Sequence, residues 1–120
     1  MTRNTSQDAT SQRRREGPLA IVWTTTADAE QAETIAGELV QRRLAACVQT
    51  DGPVRSTYFW KGQEQVENEY RLAIKTSSQK VSEVIDWLAA NHPYEEPEIL
   101  VTAVIETTPG YRQWVFDQTR

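Results

Sequence analysis

Apolar positions along this chain switch between a run-like pattern, a helical period and a two-residue alternation. Leu19-Ala20-Ile21-Val22-Trp23-Thr24 is a short apolar run rich in strand formers, bounded by Gly17-Pro18 and Thr25-Thr26. Such a run predicts a strand buried on both faces, hence central in a sheet. Asp28 offers an N-cap, and Ala32, Ile35, Ala36, Leu39 and Val40 then recur at helical spacing. Glu38, Gln41 and Arg42 take the outer face, and the helix is expected to end near Arg43. Residues 44–49 read as a second strand. Asp51-Gly52-Pro53 interrupts it as a bulge would, and it resumes over 54–60. Lys61-Gly62-Gln63 is a turn signal. The third strand, 69–75, alternates Tyr70, Leu72 and Ile74 with Arg71, Ala73 and Lys75. Ser77 or Ser78 caps a second helix with the stripe Val81, Val84, Ile85 and Leu88, which Pro93 stops. Residues 99–105 are a fourth strand. Thr108 and Pro109 open a short terminal helix lined by Tyr111, Trp114 and Val115.

The order β-α-β-β-α-β plus a small helix predicts an α+β, ferredoxin-like sandwich: an antiparallel four-stranded sheet with two helices on one face. Its hairpin of the second and third strands is longer than a small domain needs. Tyr58, Phe59 and Trp60 sit near the tip, where bare apolar rings favour aggregation unless covered. The economical cover is a partner subunit.

Length and composition narrow the function. The 120 residues suit one domain. Residues 1–17 hold almost no large apolar side chains and are expected to form a disordered tail, leaving 18–120 as the domain. Arg13-Arg14-Arg15 lies in that tail and reads as solvated charge, and no hydrophobic core of a signal peptide is evident. No apolar run approaches a membrane span. The net charge of −4 argues against a general nucleic-acid binder. The single Cys47 makes no internal disulfide and no thiolate zinc cluster, and it suits a reducing, cytoplasmic setting.

Candidate chemistry concentrates in His92-Pro93-Tyr94-Glu95-Glu96-Pro97-Glu98, which joins the only histidine to a phenol and three carboxylates. The prolines hold His92 and Glu96 extended, so the segment is stiff. It reads either as a rigid helix-to-strand connection or as a rim for a cation or small ligand. His92 with Glu95, Glu96 or Glu98 supplies nitrogen and oxygen ligands for a divalent metal. Other chemistries lack their residues. The third strand carries Tyr70 among carboxylates rather than the stacking aromatics of an RNA-recognition domain. Residues 23–28 contain no Gly or Arg for an anion loop. Cys47 lies in an apolar strand and reads as packing, and His92 has no oriented partner visible in the sequence, so no enzyme activity is expected.

Taken together, Ala45-Ala46-Cys47-Val48, Ser56-Thr57-Tyr58-Phe59-Trp60-Lys61-Gly62, Ile74-Lys75-Thr76, the His92-to-Glu98 stretch and Tyr111-Arg112-Gln113-Trp114 resemble the successive signatures of the CutA divalent-cation tolerance family. The resemblance covers the chain from Leu19 onward. It implies a homotrimer similar to the PII signalling proteins, a link to copper and other divalent ions, copper binding in some members and no established reaction. It implies a weak metal site at His92. Asn91 and Trp23 stand where a second histidine and a cysteine are proposed as copper ligands in some members. It also implies inter-subunit clefts formed by His92, Tyr94, Glu95, Lys75 and Trp60. These would hold a divalent cation or small anion, or, in a PII-like sensor, a small metabolite.

Overall fold

A computed structural model of the chain describes residues 18–120. The tail expected over 1–17 lies outside the described residues. Strand β1 (Leu19–Thr26) is followed by helix α1 (Ala29–Gln41), strands β2 (Cys47–Trp60) and β3 (Gln63–Ser77), a 3-10 turn (Ser78–Lys80) and helix α2 (Val81–Asn91). Strand β4 (Leu100–Val104) and helix α3 (Pro109–Gln118) complete the chain. The sheet order is β2-β3-β1-β4, with every neighbouring pair antiparallel. This is the expected ferredoxin-like sandwich, with β1 central.

One face of the sheet carries the core. Val22, Leu72 and Ile74 meet Ala32, Ile35 and Leu39 of α1 and Val84 and Leu88 of α2, all buried. Burying one such aliphatic side chain contributes roughly 1.5–3 kcal/mol, so the helices are held by their stripes rather than by propensity. Asp28 accepts a hydrogen bond from the Gln31 amide at 2.8 Å and caps α1 as expected. Thr108 does the same for α3 through the Tyr111 amide.

The elements depart from the sequence pattern at their ends. Leu44 and Ala45 belong to the core but not to a strand, because both their amides return to the Leu39 carbonyl and close the helix. Strand β2 therefore starts at Cys47. Ser77 and Ser78 open a 3-10 turn, and no side chain caps it or α2. Val40, Tyr111 and Trp114 are exposed rather than core-facing, and of the expected α3 stripe only Val115 is buried.

On the opposite sheet face one row spans all four strands. Arg71 of β3 pairs with Asp51 of β2 at 3.0 Å and lies 5.4 Å from the Trp23 ring centre on β1. The Trp23 indole N–H donates to the Thr102 hydroxyl of β4 at 3.0 Å.

The hairpin outruns its own sheet. Strand β1 pairs with β3 only from Tyr70 to Ser77, so the part of β3 before Tyr70 has β2 as its sole neighbour. Lys61 (φ 53°) and Gly62 (φ 79°) form a two-residue turn with both residues left-handed, the geometry that matches strand twist. Gln63 already belongs to β3. A register shift between Asp51 and Val54 is the bulge expected at Gly52-Pro53. A lone two-stranded ribbon is marginal in water. Here it also leaves Phe59 75% exposed, with Tyr58, Trp60 and Val66 partly bare.

Candidate functional site

The base of this ribbon meets the segment after α2 and encloses a cleft of about 660 Å³. Thr25, the last residue but one of β1, lines it. Ser56, Thr57, Tyr58 and Trp60 line it from β2, Glu67 and Glu69 from β3, and Tyr94, Glu95, Glu96 and Glu98 from the loop.

Two hydrogen-bonded links fix the loop. His92 ends α2 in an extended conformation, and its own amide closes the helix on Leu88. Its Nδ1 accepts the Tyr94 backbone N–H at 3.0 Å. Its Nε2 lies 2.9 Å from the Thr25 carbonyl oxygen. An amide N–H on Nδ1 requires a lone pair there, so Nε2 carries the proton and donates it to Thr25. Burial lowers the His92 pKa, opposed by the Thr25 carbonyl and the Glu69 charge, so the ring is neutral at pH 7. The second link is the Tyr94 hydroxyl, which donates to Glu69 Oε2 at 2.8 Å.

Glu69 is only 8% exposed. Burial alone would raise its pKa, but hydrogen bonds from Ser56, Tyr94 and Thr25 and the nearby His92 outweigh it and leave the carboxyl below its ordinary value. Glu69 is therefore a buried anion, and the Tyr94 hydroxyl is the hydrogen-bond donor that meets it. The same neighbourhood pushes the Tyr94 phenol well above its ordinary range, through burial first and the Glu69 bond second, so it remains a donor.

The residues named from the sequence divide. Tyr94, Glu95 and Trp60 line the cleft. His92 stands behind it, as the brace that sets Tyr94. Lys75 is paired in the sheet with Ile21 and Cys47. It lies six positions from Glu69, about 20 Å along the strand, and within one chain it does not line the cleft. Glu69 and Glu67 were not singled out from the sequence. Their alternation toward one strand face was visible, but the hairpin's extension past β1, which turns that face into a wall, was not.

The donor set does not fit copper within one chain. Both His92 nitrogens are engaged by the backbone, leaving no lone pair for a metal. Among the described residues no group of three or more His, Cys, Asp and Glu side chains is placed to hold a metal ion. Cys47 lies in the sheet, opposite Lys75. What the cleft offers is dispersed negative charge beside aromatic rings. Glu67, Glu69, Glu95, Glu96 and Glu98 line it, and beside it the exposed Lys61 ammonium lies 4.0 Å from Glu95 and 5.8 Å from the Trp60 ring centre.

Comparison with known proteins matches residues 20–118 to the family model described as CutA1 divalent ion tolerance protein. A CutA homolog of Xenopus laevis is 38% identical over 101 residues, covering 84% of this chain and 67% of the relative. A chloroplastic CutA of Arabidopsis thaliana is 31% identical over 103 residues, and the chain spans only 57% of its length. Among solved structures, CutA of Xylella fastidiosa is similar with a TM-score of 0.83 and 36% identity, over 87% of this chain and 100% of that one.

Proposed function

The chain belongs to the CutA1 divalent ion tolerance family, and we propose that it serves divalent-cation tolerance as a homotrimer whose cleft receives a cationic ligand. One observation carries this. The unpaired ribbon forms a wall of the acidic cleft and exposes Phe59. A site built on an arm that needs cover becomes complete when another copy supplies that cover. In a trimer, Lys75 of a neighbouring copy is available to a cleft that its own chain does not reach.

His92 acts here by positioning. It holds Tyr94, which in turn holds Glu69, and cations meet carboxylates and aromatic rings instead. No nucleophile-base pair is assembled in the cleft, and we infer a binding protein rather than an enzyme. The lone Cys47 suits a reducing compartment, and we infer a cytoplasmic location. Nucleic acid and membrane are not proposed as partners. Among the described residues no helix is long and apolar enough to cross a membrane.

A second reading, a PII-like trimer that senses a small metabolite with an indirect metal phenotype, is favoured by the engaged nitrogens of His92.

The test is magnetic resonance on isotope-labelled protein titrated with magnesium and with zinc. The expected result is movement of the Trp60 indole and Tyr94 amide signals, while the His92 nitrogens keep their neutral pattern. Shifts confined to the His92 nitrogens would instead restore direct metal ligation. No cleft response to either ion would favour the metabolite sensor.

A further inference from the structure

The end of β3 away from the hairpin borders a second hollow, of about 430 Å³, between the 3-10 turn and helix α3. Ser77, Lys80, Phe116, Thr119 and Arg120 are among its walls, and no acidic residue lines it. In a chain of net charge −4 such a lining stands apart. Strand β3 runs 15 residues from Gln63 to Ser77, roughly 45 Å, so Ser77 stands far from the hairpin turn. None of the residues lining this hollow lines the acidic cleft.

Ser77 is 2% exposed. The hydroxyl of its neighbour Thr76 donates to the Leu44 carbonyl on the core side, so strand alternation sends Ser77 to the opposite face, toward α3. Ser77 holds the capping position of the 3-10 turn, yet its side chain caps no amide, and its hydroxyl has no partner among the described residues. A buried hydroxyl is costly to leave unpaired, and the hollow is where its bonding capacity stays open. Lys80 immediately precedes α2, at the end of the helix where the dipole disfavours a cation. Its side chain is nevertheless only 26% exposed. An anion in the hollow turns that unfavourable placement into a favourable one. Arg120 brings a second cation to the same space. Glu83 lies 3.7 Å from Lys80, and Asp117 lies 3.0 Å from Arg120. Local pairs of this exposed kind are weak and leave both cations able to meet a stronger anion.

We propose that this hollow binds a phosphate dianion, free or as the head of a monoester. The Ser77 hydroxyl donates one hydrogen bond to it. Lys80 and Arg120 supply charge, the guanidinium fork matching two phosphate oxygens. The N-terminus of α2 adds its dipole. Phe116 offers an apolar wall to the organic part of a monoester. The site is independent of the acidic cleft and of what the cleft receives.

The experiment is magnetic resonance titration of the isotope-labelled full-length protein with sodium phosphate, phenyl phosphate and sodium chloride, matched in ionic strength. It is run at mildly alkaline pH, where phosphate is a dianion. Saturable shifts of the backbone amides of residues 78–81 are expected with both phosphates and not with chloride. Equal affinities would support the site as one for free phosphate, and tighter phenyl phosphate would support it as one for a monoester. Ser77→Ala, which deletes only the hydroxyl, and Lys80→Gln, which keeps the stem, are each expected to weaken phosphate about fivefold or more. The melting temperature without phosphate is expected to hold or rise in Ser77→Ala, because the deleted hydroxyl had no partner to lose. Arg55→Gln removes the same charge from an exposed position on the hairpin and is expected to leave phosphate affinity unchanged. Shifts reproduced by chloride would mean charge screening only and would overturn the proposal. Phosphate binding that survives Ser77→Ala and Lys80→Gln as well as it survives Arg55→Gln would mean an adventitious ion only and would overturn it too.

Discussion

The Tyr94 hydroxyl donates to Glu69 Oε2 at 2.8 Å and so joins two segments twenty-five positions apart, the hairpin and the loop after α2. Removing it by Tyr94→Phe leaves a buried carboxylate one donor short. Loss of a hydrogen bond to a buried charge costs about 1–3 kcal/mol. Chemical denaturation is expected to show a loss in that range, and an unchanged midpoint would mean that the link contributes nothing to the loop's placement.

The His92 tautomer is directly observable. The Tyr94 amide on Nδ1 and the Thr25 carbonyl at Nε2 require a neutral ring with its proton on Nε2. Long-range nitrogen–proton correlation at neutral pH is expected to show that pattern. The Nδ1-protonated tautomer would contradict the brace.

Acid is expected to destabilise the fold in two stages. His92 has a folded pKa below its ordinary 6.5, so the unfolded chain takes up a proton first as pH falls. Its contribution is full above 6.5 and is lost as pH falls through the folded value. Glu69, also depressed, acts in the same sense, its contribution being full above its ordinary 4.5 and lost below. The melting temperature should decline below about pH 6.5 and again below about pH 4.5. His92→Asn should remove the upper stage, and Glu69→Gln the lower. A melting temperature that rises on acidification would reverse both assignments.

The bulge that bends β2 touches the same acid. Gly52 has φ 152°, and a Cβ there would lie 2.9 Å from the Glu69 carbonyl oxygen and from Tyr70 Cδ1. Gly52→Ala is therefore expected to cost about 1–3 kcal/mol from backbone conformation, with further loss from the clash. Thermal melting checks it, and wild-type stability would mean that the bulge relaxes freely.

The periodicities in the sequence were sufficient for the element order, the central place of β1, and both helix stripes apart from Val40. They failed at Leu44 and Ala45, where apolar side chains signal burial but the backbone curls back to Leu39. Pattern reports which side chains are buried, not whether the chain is extended there. The candidate site was half legible. Tyr94, Glu95 and Trp60 announced themselves by motif and by aromatic clustering. Glu69 did not, because an acid in an alternating strand looks solvated until the loop folds over it. His92 was visible as a residue but not in its role, which depends on contacts with Thr25 and with the backbone of Tyr94. Lys75 lay close to the motifs in sequence yet far from the cleft along the strand.

The central claim is that copies of this chain close over the bare hairpin and complete the cleft. Sedimentation equilibrium on the full-length protein tests it most directly. A particle of three times the 13.7 kDa chain mass is expected, and Phe59→Asp should split it into smaller species. A wild-type particle of 13.7 kDa, stable and soluble with its hairpin uncovered, would contradict the account.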